Sequence, residues 1–362
     1  MVLSRSNIRW ATAASLFALT VSLTACGGSS TQAPSAPGGA PSGASGSSSG
    51  VALKGAGASA PAPLYQKWFA EYAEKTGTKI GYESVGSGAG IKQYLAETVD
   101  FGATDAALKD EDRSKFPAKR GEVIQVPSTG LFVVFAHNLK DVTDLKLSRE
   151  AYCGIVDGTI TKWNDPKIAA DNAGVTLPDQ AVTFVHRSDG SGTTSIFTAH
   201  IEKACSGWKA GSGKAVEWPT GTGAKGNEGV TAQIQQTPGA IGYIEYSYAN
   251  ENGLNMASLK NKAGEYIKPT PESAGKALSG VTIPADFALS VPDPEAKEAY
   301  PIVSLTWLLI YGNYDDPAKS EEIKKFVTWA MKEGKPAAEK LGYIPLPDDV
   351  SAKVIEAVSK AK

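Results

Sequence analysis

Four times in this 362-residue chain a run of small or β-branched residues ends in a short turn that leads toward a helical segment. The junctions lie at Gly55-Ala-Gly-Ala-Ser59, at Gly86-Ser87, at Thr104-Asp105 after Val99-Asp-Phe-Gly-Ala103, and at Asp189-Gly-Ser191-Gly-Thr193. Strands alternating with helices through such turns specify an α/β fold, because the crossover helices must cover the faces of the sheet they return to. Each junction also predicts a small hydroxyl or a carboxylate at a helix N-cap, beside backbone N–H groups with no partner inside the helix. One N-cap serine is usually no more than a cap. Four at the carboxyl ends of strands, where open α/β sheets hold ligands, point to a converging anion site.

The rest of the chain keeps the same rhythm. Val51 to Lys54 predicts a strand, and behind Pro63 the residues Leu64, Trp68 and Tyr72 recur at spacing four until Gly77, which predicts an amphipathic helix. Lys79 to Val85 predicts the next strand, followed by a short helix with Ile91, Tyr94 and Leu95 on one face. Gly130 to Ala136 is apolar enough for a strand buried on both faces, and Ser148 is placed to cap a helix through Tyr152 and Ile155. Further strands are expected at 182–187, 240–246 and 301–311, a helix with Ile196, Phe197 and Ile201, and closing helices around 323–331 and 350–358. About 310 residues in this pattern suggest two α/β lobes rather than one sheet.

The first 50 residues are of another kind. Arg5 and Arg9 precede a stretch of mainly small and apolar residues from Ala11 to Val21, and Leu23-Thr-Ala-Cys26 closes it. This predicts an export signal over residues 1–25. Leu-Thr-Ala-Cys resembles the bacterial lipobox, in which the cysteine becomes the lipidated first residue, whereas an ordinary signal peptide is the alternative. From Gly27 to Gly50 there is neither charge nor a bulky apolar side chain, so residues 26–50 are expected to be a lipid-anchored tether. As a flexible coil it would span about 25–30 Å root-mean-square. With Cys26 set aside, Cys153 and Cys205 form an even pair, and in an oxidising compartment a disulfide is expected; two buried free thiols are the alternative.

Charge and motifs narrow the function. The whole chain carries 36 basic and 38 acidic side chains, and without residues 1–25, which hold Arg5 and Arg9, 34 basic remain. No basic field gathers a nucleic acid, and net charge does not attract an anion. His137, His186 and His200 have no zinc spacing, and neither a CxxC nor a P-loop occurs, so no metal and no cofactor are expected. Gly55-Ala-Gly-Ala-Ser-Ala60 and Gly221-Thr-Gly-Ala-Lys-Gly226 match dinucleotide fingerprints in letters only. The first runs into Pro61 and Pro63, and the second into Asn227-Glu-Gly229 rather than a clear helix. A GxSxG at Ser48 sits in the tether and counts as composition.

Two charged residues sharpen the anion reading. Arg187 ends a strand two residues before Asp189 and four before Ser191, so it can put a guanidinium into a cleft while Asp189 holds the fork. A surface ion pair is the plainer alternative. Asp105 would repel a dianion unless the ligand brings a proton to donate, in which case it selects for that proton. Hydrogen phosphate has one and sulfate does not. Otherwise Asp105 simply caps a helix over Ala106-Ala-Leu108.

Taken together, these stretches resemble the phosphate-binding proteins of bacterial ABC-type phosphate transporters, the PstS family. The likeness also includes Lys162-Trp-Asn-Asp165, Lys225-Gly-Asn-Glu-Gly229 and Pro238-Gly-Ala-Ile-Gly-Tyr243, and covers nearly all of 51–350. It implies a two-lobed, class II periplasmic-binding-protein-like α/β fold with hinge strands and a ligand cleft. Lobe 1 would comprise 51–133 and 298–362, and lobe 2 would comprise 134–297. The implied ligand is hydrogen phosphate, held by Ser59, the backbone of Ala60, Ser87 and the acceptor Asp105 from one lobe, and by Arg187, Ser191, Gly192 and Thr193 from the other, with Asp189 securing Arg187. The family commonly shows Thr-Phe where this chain has Ser59-Ala60, and a second basic residue is common at His186. The implied role is a monomeric, non-enzymatic binding protein, lipid-anchored through Cys26 at the outer face of the cell membrane or in the periplasm, that delivers phosphate to membrane permease subunits. Rival readings are a secreted phosphatase or serine hydrolase using Ser191, and a binder of sulfate or molybdate.

Overall fold

The computed structural model describes residues 51–362; the expected export signal (1–25), Cys26 and the expected tether (26–50) lie outside the described residues. In chain order the strands are β1 (Leu53–Gly57), β2 (Ile80–Ser84), β3 (Phe101–Thr104), β4 (Ile124–His137), β5 (Lys146–Leu147) and β6 (Thr183–Arg187). They continue as β7 (Thr222–Ala224), β8 (Ala240–Glu245), β9 (Asn255–Met256), β10 (Ser258–Lys260), β11 (Tyr266–Ile267) and β12 (Val303–Ile310). Nine of them form one sheet in the order β2-β1-β3-β12-β4-β8-β6-β7, with β9 on β4; the other three make a small sheet, β11-β10-β5.

The long strand β4 organises this sheet. Every residue from Gln125 to His137 is buried, as a strand covered on both faces requires. Its first part pairs antiparallel with β12 as far as Phe132, and from Val133 onward it pairs antiparallel with β8. The sheet thus has a first half (β1, β2, β3, β12) and a second half (β6, β7, β8, β9) threaded by one strand. The expectation of two lobes rather than one sheet needs this amendment, because 14 residues are long enough to carry the hydrogen bonding from one half into the other. The returning chain runs alongside, with Val133 N–H donating to Ile302 O.

Helices cover both halves. The helix Ala62–Thr76 buries Leu64, Trp68 and Tyr72 and ends at Gly77, and Ser148 caps Arg149–Asp157 by accepting from Ala151 N–H. Trp68, Trp163 and Trp307 are fully buried, each worth on the order of 2–3 kcal/mol in removed apolar surface. Cys153 and Cys205 are joined in a disulfide, which ties the helix Arg149–Asp157 to the end of the helix Gly192–Ala204.

Candidate anion-binding site

The parallel strands all deliver their carboxyl ends to one place. Ser59 and Ala60 follow β1, Ser87 follows β2, Asp105 follows β3, and Arg187 closes β6 with Asp189, Ser191, Gly192 and Thr193 behind it. None of Ser59, Ala60, Ser87, Asp105, Arg187, Ser191 and Thr193 is more than 3% exposed. Their polar atoms must therefore find partners inside the protein or on a ligand.

Arg187 is held from one side. Its Nε donates to Asp189 Oδ1 at 2.7 Å and its Nη2 to Asp189 Oδ2 at 2.6 Å, while Nη1 reaches Thr193 Oγ1 at 3.4 Å. Asp189 Oδ1 also accepts from Gly226 N–H, and these contacts keep its carboxyl below the usual aspartate range against the opposing effect of burial. The two halves meet directly here. Gly192 N–H donates to Ser87 Oγ at 3.1 Å and Gly88 N–H to Gly190 O at 2.7 Å. That approach needs glycine at two positions. A Cβ on Gly192 would lie 2.4 Å from Ser87 Oγ, and one on Gly86, where φ is +84°, would lie 2.2 Å from Asp189 Oδ2.

The N-cap expectation holds at one junction of four. Ser191 Oγ accepts from Thr194 N–H and caps the helix Gly192–Ala204. Pro61 precedes the helix Ala62–Thr76, Gly86 precedes Ser87–Leu95, and neither makes a side-chain cap. No helix begins at Asp105, since the next one starts at Asp110. The side chains of Ser59, Ser87 and Asp105 are thus free of capping and turn to other partners. Asp105 N–H donates to Ser87 Oγ at 3.2 Å, and Asp105 Oδ1 accepts from Thr306 Oγ1 at 2.8 Å. Thr306 sits where the β12–β4 register shifts by one residue, a bulge of the kind that re-aims a side chain. Burial pushes the Asp105 carboxyl up to about 7, partly offset by the Thr306 hydrogen bond and the Arg187 charge.

Residues that no local pattern marked complete the frame. Three tyrosine hydroxyls hold three successive carbonyls of the first loop: Tyr82 on Ala58 O, Tyr248 on Ser59 O and Tyr343 on Ala60 O, each at 2.7 Å. Because a trans peptide sets N–H opposite C=O, the bond to Ser59 O turns Ala60 N–H away from Tyr248. Asn227 reaches Ser59 and Thr193 from the second half. It lies in the helix Gly226–Gln236, so the segment after Gly221-Thr-Gly-Ala-Lys-Gly226 is helical, contrary to the sequence reading; its first turn faces Ser59 and Asp189.

His186 is not placed as a base for Ser191. Its Nδ1 pairs with Arg187 O and its ring stacks on Trp218 at 4.9 Å. Among the described residues no group of three His, Cys, Asp or Glu side chains could hold a metal ion. The arrangement is therefore a set of hydroxyl and amide dipoles with one clamped guanidinium and one buried carboxyl.

Comparison with known proteins agrees in fold and in sequence. The PBP superfamily domain matches residues 31–333. The phosphate-binding protein PstS of Pasteurella multocida is 41% identical over 308 residues, covering 83% of this chain and 88% of that one. The PstS protein of Methanocaldococcus jannaschii is 37% identical over 338 residues, covering 86% and 87%. Among solved structures, a high-affinity periplasmic phosphate-binding protein, PfluDING, bound with phosphate, superposes with a TM-score of 0.71 at 22% identity, covering 84% of this chain and 93% of that one. With identity at this level over more than four-fifths of both chains, this chain belongs to the PBP superfamily and, within it, to the PstS family of phosphate-binding proteins.

Proposed function

We propose that this protein is an extracytoplasmic binding protein that takes up hydrogen phosphate between the two halves of its sheet and delivers it to the permease of an ABC importer, breaking no bond. One observation carries the reading: a single buried carboxyl, Asp105, stands among hydroxyls, backbone N–H groups and the clamped Arg187. Such a site offers many donors and one acceptor, which matches a tetrahedral dianion that still holds one hydrogen. Arg187 is already balanced by Asp189, so the dianion is held chiefly by fixed dipoles rather than by net charge.

In this reading Ser59 and Ser87 donate their hydroxyls, Ala60 its N–H, and Asp105 accepts the ligand's hydrogen. From the second half Arg187, the Ser191 and Thr193 hydroxyls and the Thr193 N–H donate, while Gly192 N–H is shared between Ser87 Oγ and the ligand. Residues 51–133 with 298–362 and residues 134–297 act as two lobes that hinge where β4 and the returning chain cross. Cys26 carries the lipid, residues 26–50 form the tether, and the monomer presents its cargo to the membrane subunits without a cofactor.

Calorimetry of the purified protein with phosphate, sulfate and molybdate tests this, together with an assay for phosphomonoester turnover. One phosphate bound per chain, much weaker sulfate and molybdate, and no turnover are expected. Equal affinity for sulfate, or hydrolysis of the ester, would contradict the reading.

A further inference from the structure

Asn227 lies wholly buried in the first turn of the helix Gly226–Gln236, and all the hydrogen-bonding capacity of its side-chain N–H groups is spent at the site. Its Oδ1 accepts from Glu245 N–H at 2.9 Å. That bond fixes which way the amide faces, so Nδ2 must be the atom turned toward the cleft. Nδ2 donates to Ser59 Oγ at 2.9 Å and to Thr193 Oγ1 at 3.1 Å, and Asn227 N–H donates to Ser59 Oγ as well, at 3.1 Å.

A hydroxyl oxygen can accept two hydrogen bonds and donate one. Ser59 Oγ accepts both of its bonds from Asn227, which leaves its hydrogen for a further partner. Thr193 Oγ1 accepts from Asn227 and from Arg187 Nη1, with the same result. Ser87 Oγ reaches that state through backbone alone, accepting from Asp105 N–H and Gly192 N–H. All three hydroxyls are thereby obliged to donate.

We propose that Asn227 is a positioning residue that sets the polarity of the site: by filling both lone pairs of Ser59 and, together with Arg187, those of Thr193, it makes these two hydroxyls donors only, so that neither competes with Asp105 as the acceptor for a bound anion's hydrogen. This rests on the phosphate reading and adds to it a selectivity device placed outside the ligand's own contacts. It also makes the polarity of Ser59 depend on the two halves meeting, since Ser59 belongs to the first half and Asn227 to the second.

The test is a double-mutant cycle with inorganic phosphate as the probe. In the unaltered protein Ser59→Ala removes a donor to a charged ligand and is expected to weaken phosphate about tenfold or more. Asn227→Asp puts an acceptor where the two N–H groups were, drawing the Ser59 and Thr193 hydrogens away from the ligand. In that background Ser59→Ala should cost almost nothing or improve binding, because the hydroxyl no longer donates to phosphate. A purely structural or purely electrostatic effect of Asn227→Asp leaves the Ser59→Ala cost unchanged, and that result overturns the proposal. Should Asn227→Asp fail to fold by circular dichroism, Asn227→Ser, which cannot fork to both hydroxyls, serves the same cycle: a reduced Ser59→Ala cost supports the proposal and an undiminished one overturns it. Failure of the unaltered protein to bind phosphate would instead dispose of the functional reading itself.

Discussion

Buried charges shape the behaviour of individual residues here. Arg187 and Asp189 satisfy one another in a bidentate pair, so removing the cation leaves the carboxylate stranded and, in the proposed reading, also takes a donor from the ligand. Arg187→Ala is expected to weaken phosphate by about 2–5 kcal/mol, measured by calorimetry; a loss near zero would put Arg187 outside the site. Glu245, at the end of β8, has no exposed surface. Burial pushes its carboxyl from 4.5 up to about 8, with Ser247 opposing and Asp105 adding to the rise. The folded protein therefore holds protons on Glu245 and Asp105 that the unfolded chain releases, and stability falls as pH rises from the usual carboxylate range toward 7 and 8. His137 and His200, held down to about 4 by burial, act in the opposite sense: unfolding gains their protons, so stability falls as pH drops from 6.5 toward 4. Above about pH 6.5 the carboxyl contribution is left unopposed. Glu245→Gln should flatten the fall in melting temperature between about pH 6.5 and 8 and raise stability at the upper end by about 1–3 kcal/mol. A variant whose melting curve keeps the original pH slope would show that Glu245 ionises freely.

At the scale of elements, the strand–turn–helix junctions position the chemistry, and their tightness makes a prediction. Gly192→Ala would drive a Cβ to within 2.4 Å of Ser87 Oγ and 2.6 Å of Asp105 Cβ, contacts made only between halves. Each half should still fold, with a melting temperature close to that of the unaltered protein, but phosphate binding should collapse. Unaltered affinity would mean that the two loops do not approach this closely around the ligand. These junctions were legible from sequence because Gly/Ser turns after apolar runs are local signals, and so were the neighbours Arg187, Asp189 and Ser191. The caps were not. Whether Ser59 or Ser87 caps a helix depends on where the first helical turn begins, and that start is set by tertiary contacts such as the tyrosine bonds to Ala58 O, Ser59 O and Ala60 O. Thr306, Tyr248, Tyr343 and Asn227 lay beyond reach for a related reason. Each lies at least 168 positions from the first-half group that it holds, Asp105, Ser59 or Ala60, and only strand register brings them in. In Thr306 the register itself carries an irregularity that no alternation of side chains announces.

For the whole molecule, the long β4 explains why two halves behave as one object around a shared site. It pairs with β12 as far as Phe132 and with β8 from Val133 onward, and in the proposed reading the halves twist about this strand while the loops at their carboxyl ends open and close. Small-angle scattering should show a smaller radius of gyration with phosphate than without, and Gly192→Ala should abolish the difference; identical profiles for the unaltered protein in both conditions would argue against hinge closure. The central claim is that one acceptor, Asp105, stands among donors and chooses an anion by its hydrogen. Titration with sulfate across about pH 5.5 to 8.5 tests it most directly, since protonation of Asp105 near 7 turns the acceptor into a donor. Sulfate should bind weakly at the alkaline end and tighten as pH falls through about 7, while Asp105→Asn should bind sulfate with little dependence on pH. Sulfate affinities of the unaltered protein and Asp105→Asn that coincide over the whole range would contradict the account.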